Sequence, residues 1–286
     1  AGFKVLVLGT AQDGGYPHTG CDGRCCARAW EDSSISRLIS SIAIIEESTR
    51  RCWLIDISPD FRYQYNMLAD AVSGTPLISG IFITHAHRGH YTGLLELGLE
   101  TMDAQGVPVY TMGRMRKFLK TNEPFATIVR SGNIELRELE GSVPVRLEKD
   151  IAVTPFTVTH RNELSETVGF LLSSDDNELI YLPDIDSWEG FETEIKSMIS
   201  SSSVALIDGT FYSGSELGYR DMSRVPHPPI SSSMSMLSDI DRSDRSKVYF
   251  THLNHTNPAM DPASAEARAV TDSGFNIATD RQGFVL

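Results

Sequence analysis

The stretch Thr84–Gly93 (THAHRGHYTG) places three histidines within six positions. It follows the apolar run Ile81–Ile83 and precedes a leucine-rich run that starts at Leu94. A short apolar run that ends in a polar turn is typical of a buried strand that delivers its last residues to a site. Because histidine is a common metal ligand and clustered histidines repel one another when protonated, the stretch predicts a metal centre rather than a set of solvated surface histidines.

The charge of the chain bears on its partners. Lys and Arg total 25 against 38 Asp and Glu, which gives a formal net charge of -13. Affinity for nucleic acid comes largely from Lys and Arg that displace counterions from phosphates, so a nucleic-acid partner is disfavoured. We therefore expect the partner to be a small-molecule substrate.

Length and hydropathy predict a soluble protein. The 286 residues suit a single domain spanning positions 1–286, with a homodimer left open as the oligomeric state. No apolar run approaches the roughly 18 residues that a membrane span needs. The chain begins at Ala1 rather than Met, so a removed signal peptide is one interpretation. We expect a cytoplasmic location, with a periplasmic or secreted one as the alternative.

Several further apolar strands end next to a potential metal ligand. The segments concerned are Phe156–Thr159 before His160, Ile180–Leu182 before Asp184, and Tyr249–Thr251 before His252. If these strand ends gather with the histidine turn at one sheet edge, they form an imidazole and carboxylate cluster suited to zinc or another borderline divalent ion.

The arrangement of predicted elements indicates two sheets with helices outside them. Strands and helices do not alternate strictly, which argues against a doubly wound parallel sheet. The apolar residues from Leu94 to Met102 predict a helix that stops near Gly106, and Ile128–Val129 is predicted as a short strand. Residues 213–233 form a long Gly- and Ser-bearing loop, where we expect substrate specificity to lie.

These motifs together resemble the metallo-β-lactamase superfamily, most closely the branch of the pyrroloquinoline-quinone biosynthesis protein B. The resemblance covers nearly the whole chain, and its most specific segment is His252–Pro258. It implies an α/β fold, a four-layered αββα sandwich with metal at one edge. The matching segments are Val5–Ala11, Gly14–Pro17, Ser58–Asp60, Thr84–Gly93, Leu206–Thr210 and His252–Pro258.

The resemblance also implies a division of the ligands. His85, His87 and His160 would hold a first metal ion and Asp184 would bridge to a second, while His90 and His252 would belong to the second ion. The expected metal is zinc, one or two ions at the active site, with iron or manganese as alternatives.

The sequence departs from the superfamily at Gly89, where an Asp that ligates the second metal usually stands. We therefore expect an intact first site and a second site that is weak, completed by water or empty. Asp13 could replace the carboxylate, but a role in the turn of the glycine-rich first loop is the stronger expectation. The pyrroloquinoline-quinone branch largely lacks the paired histidines of this turn, so in keeping them the chain is more like the hydrolytic members.

Three of the four cysteines are close together, at Cys21, Cys25 and Cys26. Related superfamily members carry a structural zinc on three cysteines and a late histidine, which implies His227 as the fourth ligand here. A Cys21–Cys26 disulfide is the main alternative, and it would indicate an oxidising compartment. Cys52 lies in an apolar segment and is predicted to be a small buried thiol.

The predicted activity is hydrolysis of a small ester, lactone or phosphodiester by a metal-bound hydroxide. Asp184 would orient the attacking group, and His255 is a candidate general acid or oxyanion donor, with a turn-stabilising role equally open. Arg161 and Glu163 follow His160 on the same rim and are predicted to be solvated loop residues, with selection of substrate charge as the alternative. The alternatives are a non-haem iron oxygenase, because two histidines and a carboxylate also form an oxygen-activating site, and a non-catalytic metal-stabilised binding protein.

Overall fold

A computed structural model describes residues 2–148, 150–218 and 221–286. Within these ranges the chain forms two mixed β-sheets of seven strands each. The strands of the first sheet are β1 (Phe3–Gly9), β2 (Ser41–Glu46), β3 (Arg51–Ile55), β4 (Leu77–Phe82), β5 (Val107–Thr111), β6 (Ile134–Glu138) and β14 (Gly283–Val285). Those of the second sheet are β7 (Val145–Glu148), β8 (Ile151–Val158), β9 (Thr167–Ser173), β10 (Glu178–Leu182), β11 (Val204–Asp208), β12 (Val248–Thr251) and β13 (Asn276–Ile277).

The two sheets repeat one arrangement of strands. In the first sheet, ordered β14-β1-β2-β3-β4-β5-β6, pairing is antiparallel up to β3 and parallel beyond it. In the second, ordered β7-β8-β9-β10-β11-β12-β13, pairing is antiparallel up to β10 and parallel beyond it. Each sheet therefore has a parallel half in which the carboxyl ends of the strands meet at one edge.

Successive side chains along each strand point to opposite faces of its sheet, and this creates three apolar layers. Val5 of β1 and Tyr181 of β10 lie in the core between the sheets. Their neighbours Leu6 and Ile180 face the opposite way and pack beneath the helices that cover each sheet. Because both faces of each sheet are buried, the chain forms four layers, and the predicted αββα sandwich is confirmed.

The helices cover the outer faces of the sheets. In the described ranges they are α1 (Arg24–Glu31), α2 (Phe61–Ala71), α3 (Arg88–Tyr91), α4 (Gly113–Thr121), α5 (Phe125–Arg130), α6 (Glu192–Ser201), α7 (Ile230–Met236), α8 (Arg242–Arg245) and α9 (Ala265–Asp272). None of these helices has both the length and the apolar character that a membrane crossing requires.

Two predicted elements are wrong in type. The chain from Thr92 to Leu97 is a 3₁₀ helix that follows the short α3, and Leu99 beyond it is exposed. Buried leucines at 94 and 97 fit a period of three residues, so the leucine run does not require a long α-helix. Ile128–Val129 lies in α5, since an apolar pair this short does not distinguish a strand from a helix.

The candidate site lies where the parallel strands end. β3 leads to Asp56, β10 to Asp184 and β12 to His252. Asp56 and His252 both have a left-handed backbone, with φ of 64° and 59°. Such a conformation is costly for a residue with a side chain, and it is retained where the surrounding structure holds a functional group in place.

Candidate metal centre

Three histidines form the first ligand group. Nε2 of His85 lies 2.9 Å from Nδ1 of His87, and Nε2 of His160 lies 3.1 Å from the same atom. His85 follows β4 of the first sheet, whereas His160 follows β8 of the second. The group therefore joins the two sheets at one edge, with three imidazole nitrogens close enough to share one ion.

Asp184 lies between this group and a second one. Its Oδ1 is 3.4 Å from Nε2 of His160, while its Oδ2 is 3.2 Å from Nε2 of His90 and 3.4 Å from Nε2 of His252. A carboxylate with one oxygen toward each group is arranged as a bridging ligand. The structure thus brings together the six predicted residues His85, His87, His90, His160, Asp184 and His252.

Asp13 lies in the turn of the first loop, as expected, and its carboxylate also joins the second group. Its Oδ1 lies 3.1 Å from Nε2 of His90 and 3.6 Å from Nε2 of His252. The side chain is only 21% exposed. The loop after β1 folds over the histidine turn, an arrangement that local sequence does not encode.

Four atoms of the second group are buried without an acceptable hydrogen bond among the described residues. They are Oδ1 of Asp13, Nε2 of His90, Oδ2 of Asp184 and Nε2 of His252. Each unpaired buried polar atom costs about 1–3 kcal/mol. A cation among the four would satisfy them together, and the mixture of imidazole and carboxylate donors suits a borderline divalent metal. The residues present therefore fit a metal ion.

Further side chains fix the orientation of the ligand rings. Nδ1 of His90 donates to Oδ2 of Asp56 at 2.6 Å, and Nδ1 of His160 donates to Oδ1 of Asp186 at 2.9 Å. Such contacts set which ring nitrogen remains free to bind a metal. The sequence prediction missed both carboxylates, although each stands at a strand end and the same reasoning could have found them. The hydroxyls of Thr84 and Thr210 lie 2.9 Å from Nδ1 of His85 and of His252.

The protonation states of His85, His87 and Asp184 suit metal binding, whereas the carboxylates of Asp56 and Asp184 outweigh burial and raise the pKa of His90 well above its ordinary value, so that a metal ion there would displace a proton. Burial lowers the pKa of His87 to about 4 and that of His85 well below its ordinary value, so both rings are neutral near pH 7. Burial opposes the charge on Asp184, but the imidazoles of His252 and His90 hold its pKa well below the usual range. Neutral imidazoles and an ionised carboxylate are the forms that bind divalent ions.

His227 does not lie with the cysteines, and the prediction that it ligates a structural zinc is wrong. Its Nδ1 donates to Oδ2 of Asp208 at 2.6 Å, and its ring centroid is 5.2 Å from that of His160. Burial opposes protonation of His227, but the carboxylate of Asp208 raises its pKa above the ordinary value. A carboxylate-supported imidazole therefore stands beside the metal centre.

The histidine that lies with the cysteines is His255. Its Nδ1 is 3.5 Å from Sγ of Cys25 and 3.5 Å from Sγ of Cys26, and Sγ of Cys21 is 3.5 Å from that of Cys25. All the cysteines are free thiols, so the alternative of a Cys21–Cys26 disulfide is wrong. This placement assigns His255 to the cysteine group instead of the general-acid role predicted for it.

The chemistry of the cysteine group calls for a cation. Burial raises the pKa of Cys26 to about 12, so its thiolate forms near pH 7 only with a positive charge beside it. The backbone N–H of His18 points to Sγ of Cys26 at 3.3 Å, as an outer contact to a metal-bound sulfur would. Cys25 and Cys26 lie in the first turn of α1, which begins at Arg24, and the thiol of each reaches Nδ1 of His255, although Cys26 is buried and Cys25 is exposed. Cys52 is buried in the core, as predicted.

A pocket opens beside the metal centre. Arg161, predicted to be solvated, lies partly buried in its wall, and its Nε is buried without a hydrogen-bond partner among the described residues. The loop of residues 213–233 contributes Leu217 and Val225 to the wall, while residues 219 and 220 of that loop lie outside the described part of the chain. Other residues lining the pocket are Gln12, Asp13, His18, His87, Asp184, Thr210, Phe211, His227, His252, Asn254 and His255.

The αββα fold and the paired ligand groups at its edge define the class of metallo-β-lactamase-fold proteins. A model of the beta-lactamase superfamily domain matches residues 51–253, and the chain belongs to that superfamily. The chain is 27% identical to the coenzyme PQQ synthesis protein B of Methylorubrum extorquens, over 97% of this chain and 98% of that protein.

Solved structures show the same architecture. The Zn2+-bound PqqB from Methylobacterium extorquens matches with a TM-score of 0.83 at 23% identity, covering 99% of this chain and 100% of that one. A diphosphatase from the PhnP family matches with a TM-score of 0.71 at 22% identity, covering 100% and 98%. At these identities the likeness shows the fold. The superfamily and the branch that the sequence resembles are thus confirmed.

Proposed function

We propose that the chain is a metal-dependent hydrolase and that, among the predicted ester, lactone and phosphodiester substrates, it acts on a small phosphodiester. The observation that carries the proposal is the position of Asp184 between two groups of ligand atoms, of which the second is buried without hydrogen-bond partners among the described residues. Two adjacent metal positions are typical of phosphatases and nucleases. The diphosphatase of similar fold also acts on a phosphoryl substrate, which favours the phosphodiester among the three predicted substrates.

The imidazole-rich donor set favours zinc at the catalytic centre, with manganese or iron as alternatives. His85, His87 and His160 would hold one ion, with Asp184 shared. Such ions, when bound, lower the pKa of a water toward neutrality and polarise a substrate oxygen. Cys21, Cys25, Cys26 and His255 would hold a structural zinc, because three thiolates and one imidazole form a closed tetrahedral set.

Arg161 provides the selectivity for an anionic substrate. Its guanidinium lies at the wall of the pocket, and its Nε has no hydrogen-bond partner in the described chain. A guanidinium matches the geometry of a phosphate with paired hydrogen bonds, whereas a neutral ester offers it little. Arg161 would hold the substrate phosphate while Asp184, in the same pocket, orients the attacking water.

His227 supplies the proton for the leaving group. The carboxylate of Asp208 favours the protonated imidazole and fixes the ring through Nδ1. In that protonated form Nε2 carries a proton on the side of the ring away from Asp208. A leaving alkoxide that departs beside His227 would take that proton, as in general acid catalysis.

The experiment compares bis(p-nitrophenyl) phosphate with p-nitrophenyl acetate, using zinc-loaded protein under anaerobic conditions. We expect cleavage of the phosphodiester, and we expect Arg161→Met to raise KM for it while leaving acetate cleavage unchanged. Arg224→Met is the matched control, because it makes the same substitution at an exposed arginine that does not line the pocket. Bound iron with a requirement for oxygen would overturn the proposal in favour of an oxygenase, and failure to cleave either substrate with both metal positions filled would favour a binding protein.

A further inference from the structure

Gly89 and Asp13 are far apart in the sequence, but a side chain at position 89 would overlap the carboxylate of Asp13 beside the second ligand group. A Cβ atom built on Gly89 would overlap Oδ1 of Asp13 and lie 3.0 Å from its Cα. Any side chain at position 89 would therefore occupy the volume that the carboxylate of Asp13 now fills. The lack of a side chain at Gly89 is what allows Asp13 to approach His90.

The loop that carries Asp13 is fixed on two sides. The guanidinium of Arg88 donates to the backbone carbonyl of Asp13 at 2.7 Å, which attaches the loop to the histidine turn. The backbone N–H of Gln12 donates to the carbonyl of Leu253 at 2.9 Å, which attaches it to the segment of His252. Asp13 is thus positioned by bonds to both segments that supply histidines to the second group.

We propose that Asp13 is the carboxylate ligand that completes a second metal position with His90, His252 and the shared Asp184. The four ligand atoms lie 3.1 to 3.6 Å apart along the measured pairs, and all four are buried without another partner among the described residues. Two imidazoles and two carboxylates neutralise a divalent ion and match the donors that zinc or manganese takes. The second position is therefore complete, instead of weak as the sequence suggested.

The inference concerns metal binding and holds whether or not the centre hydrolyses a substrate. The test loads the full chain with zinc, removes free metal by gel filtration and counts bound ions by elemental analysis. Asp13→Asn keeps the shape of the side chain, and we expect it to bind one ion fewer than the wild type. The affinity for that ion should fall by more than the ~10–100-fold typical of losing an outer partner. Asp22→Asn is the matched control, since it removes the same charge from an exposed position of the same loop.

A second variant exchanges the two positions. The double variant Asp13→Gly, Gly89→Asp removes the carboxylate from position 13 and places one on the histidine turn, directed into the same space. We expect it to bind the ion that Asp13→Asn lacks. Circular dichroism and retention of the other ions show that each variant is folded. Wild-type metal content in Asp13→Asn overturns the proposal, and so does an exchange variant that is folded but remains one ion short. Because the readout is metal content, either result is distinct from a failure to detect hydrolysis.

Discussion

The carboxylate of Asp56 lies 2.6 Å from Nδ1 of His90, and both side chains are fully buried. Asp56 also accepts a hydrogen bond from the backbone N–H of Thr84 at 2.8 Å. One buried carboxylate thus fixes both the start of the histidine turn and the ring of a ligand.

Replacing Asp56 should weaken metal binding without removing a ligand. Asp56→Asn leaves Nδ1 of His90 without a charged partner, so we expect metal affinity at that position to fall ~10–100-fold. Calorimetric titration of the metal-free protein measures this directly. Asp70→Asn is the control, because Asp70 is exposed and pairs only loosely with Arg281 at 3.5 Å. Equal affinities for the two variants would show that Asp56 does not orient the ligand.

The role of His227 can be separated from metal binding by the choice of leaving group. His227→Gln should lower kcat by ~10²–10⁴-fold for a phosphodiester with an alkyl leaving group, which needs a proton. The effect should be small for bis(p-nitrophenyl) phosphate, whose leaving group departs without one. Asp208→Asn should also lower kcat more for the alkyl phosphodiester than for bis(p-nitrophenyl) phosphate, but by a smaller factor than His227→Gln. An equal loss with both substrates would mean that His227 holds the structure or the substrate instead.

The cysteine group should contribute to stability through its metal. Cys26→Ala removes one of four ligands, so we expect loss of one zinc ion and a lower melting temperature, which chelators should reduce by less than they reduce that of the wild type. Cys52→Ala is the matched control: it also truncates a buried cysteine, but Cys52 lies in the core beneath the helices. Unchanged zinc content in Cys26→Ala would contradict a structural metal at this position.

Asp280 should make stability depend on pH. Burial raises its pKa to about 6, against the hydrogen bonds from Leu38 and Thr10 that lower it. An unfolded aspartate titrates near 3.9, so between about pH 4 and pH 6 the folded state holds a proton that the unfolded state has released. Stability from this group is therefore present at low pH and is lost as pH rises, by up to about 3 kcal/mol.

The measurement for Asp280 is a set of urea titrations from pH 4 to pH 7. As pH rises, the free energy of unfolding of the wild type should fall relative to that of Asp280→Asn, because the amide of the variant does not titrate. A difference that is constant across this range would show that Asp280 has an ordinary pKa.

The sequence predicts the sandwich and six of its ligand positions because both depend on local signals. A buried strand that ends in a polar residue is visible within a few positions, as at His85, His160 and Asp184. Parallel pairing brings the end of β4 to the edge of its sheet, and β8 runs in the same direction as β10 because both pair antiparallel with β9, so His160 and Asp184 reach one edge of the other sheet.

The contact of Asp13 with the second group and the position of His255 were missed because both depend on how long loops fold over the site. Nothing near residue 13 shows that its carboxylate meets a turn far along the chain. The one signal in the sequence was Gly89, which indicated that the usual carboxylate ligand is missing from the histidine turn but not which residue replaces it. The same limit applies to His227 and His255, since both follow polar turns and only the folded chain shows which of them lies with the cysteines.

The most direct test of a hydrolytic two-metal centre is the rate of bis(p-nitrophenyl) phosphate cleavage as zinc is added to metal-free protein without oxygen. We predict that the rate rises steeply only as the position shared by Asp184 and His90 fills, and that Asp184→Asn abolishes the rise. No cleavage with every position filled, or cleavage unaffected by Asp184→Asn, would contradict a hydrolytic centre at this edge.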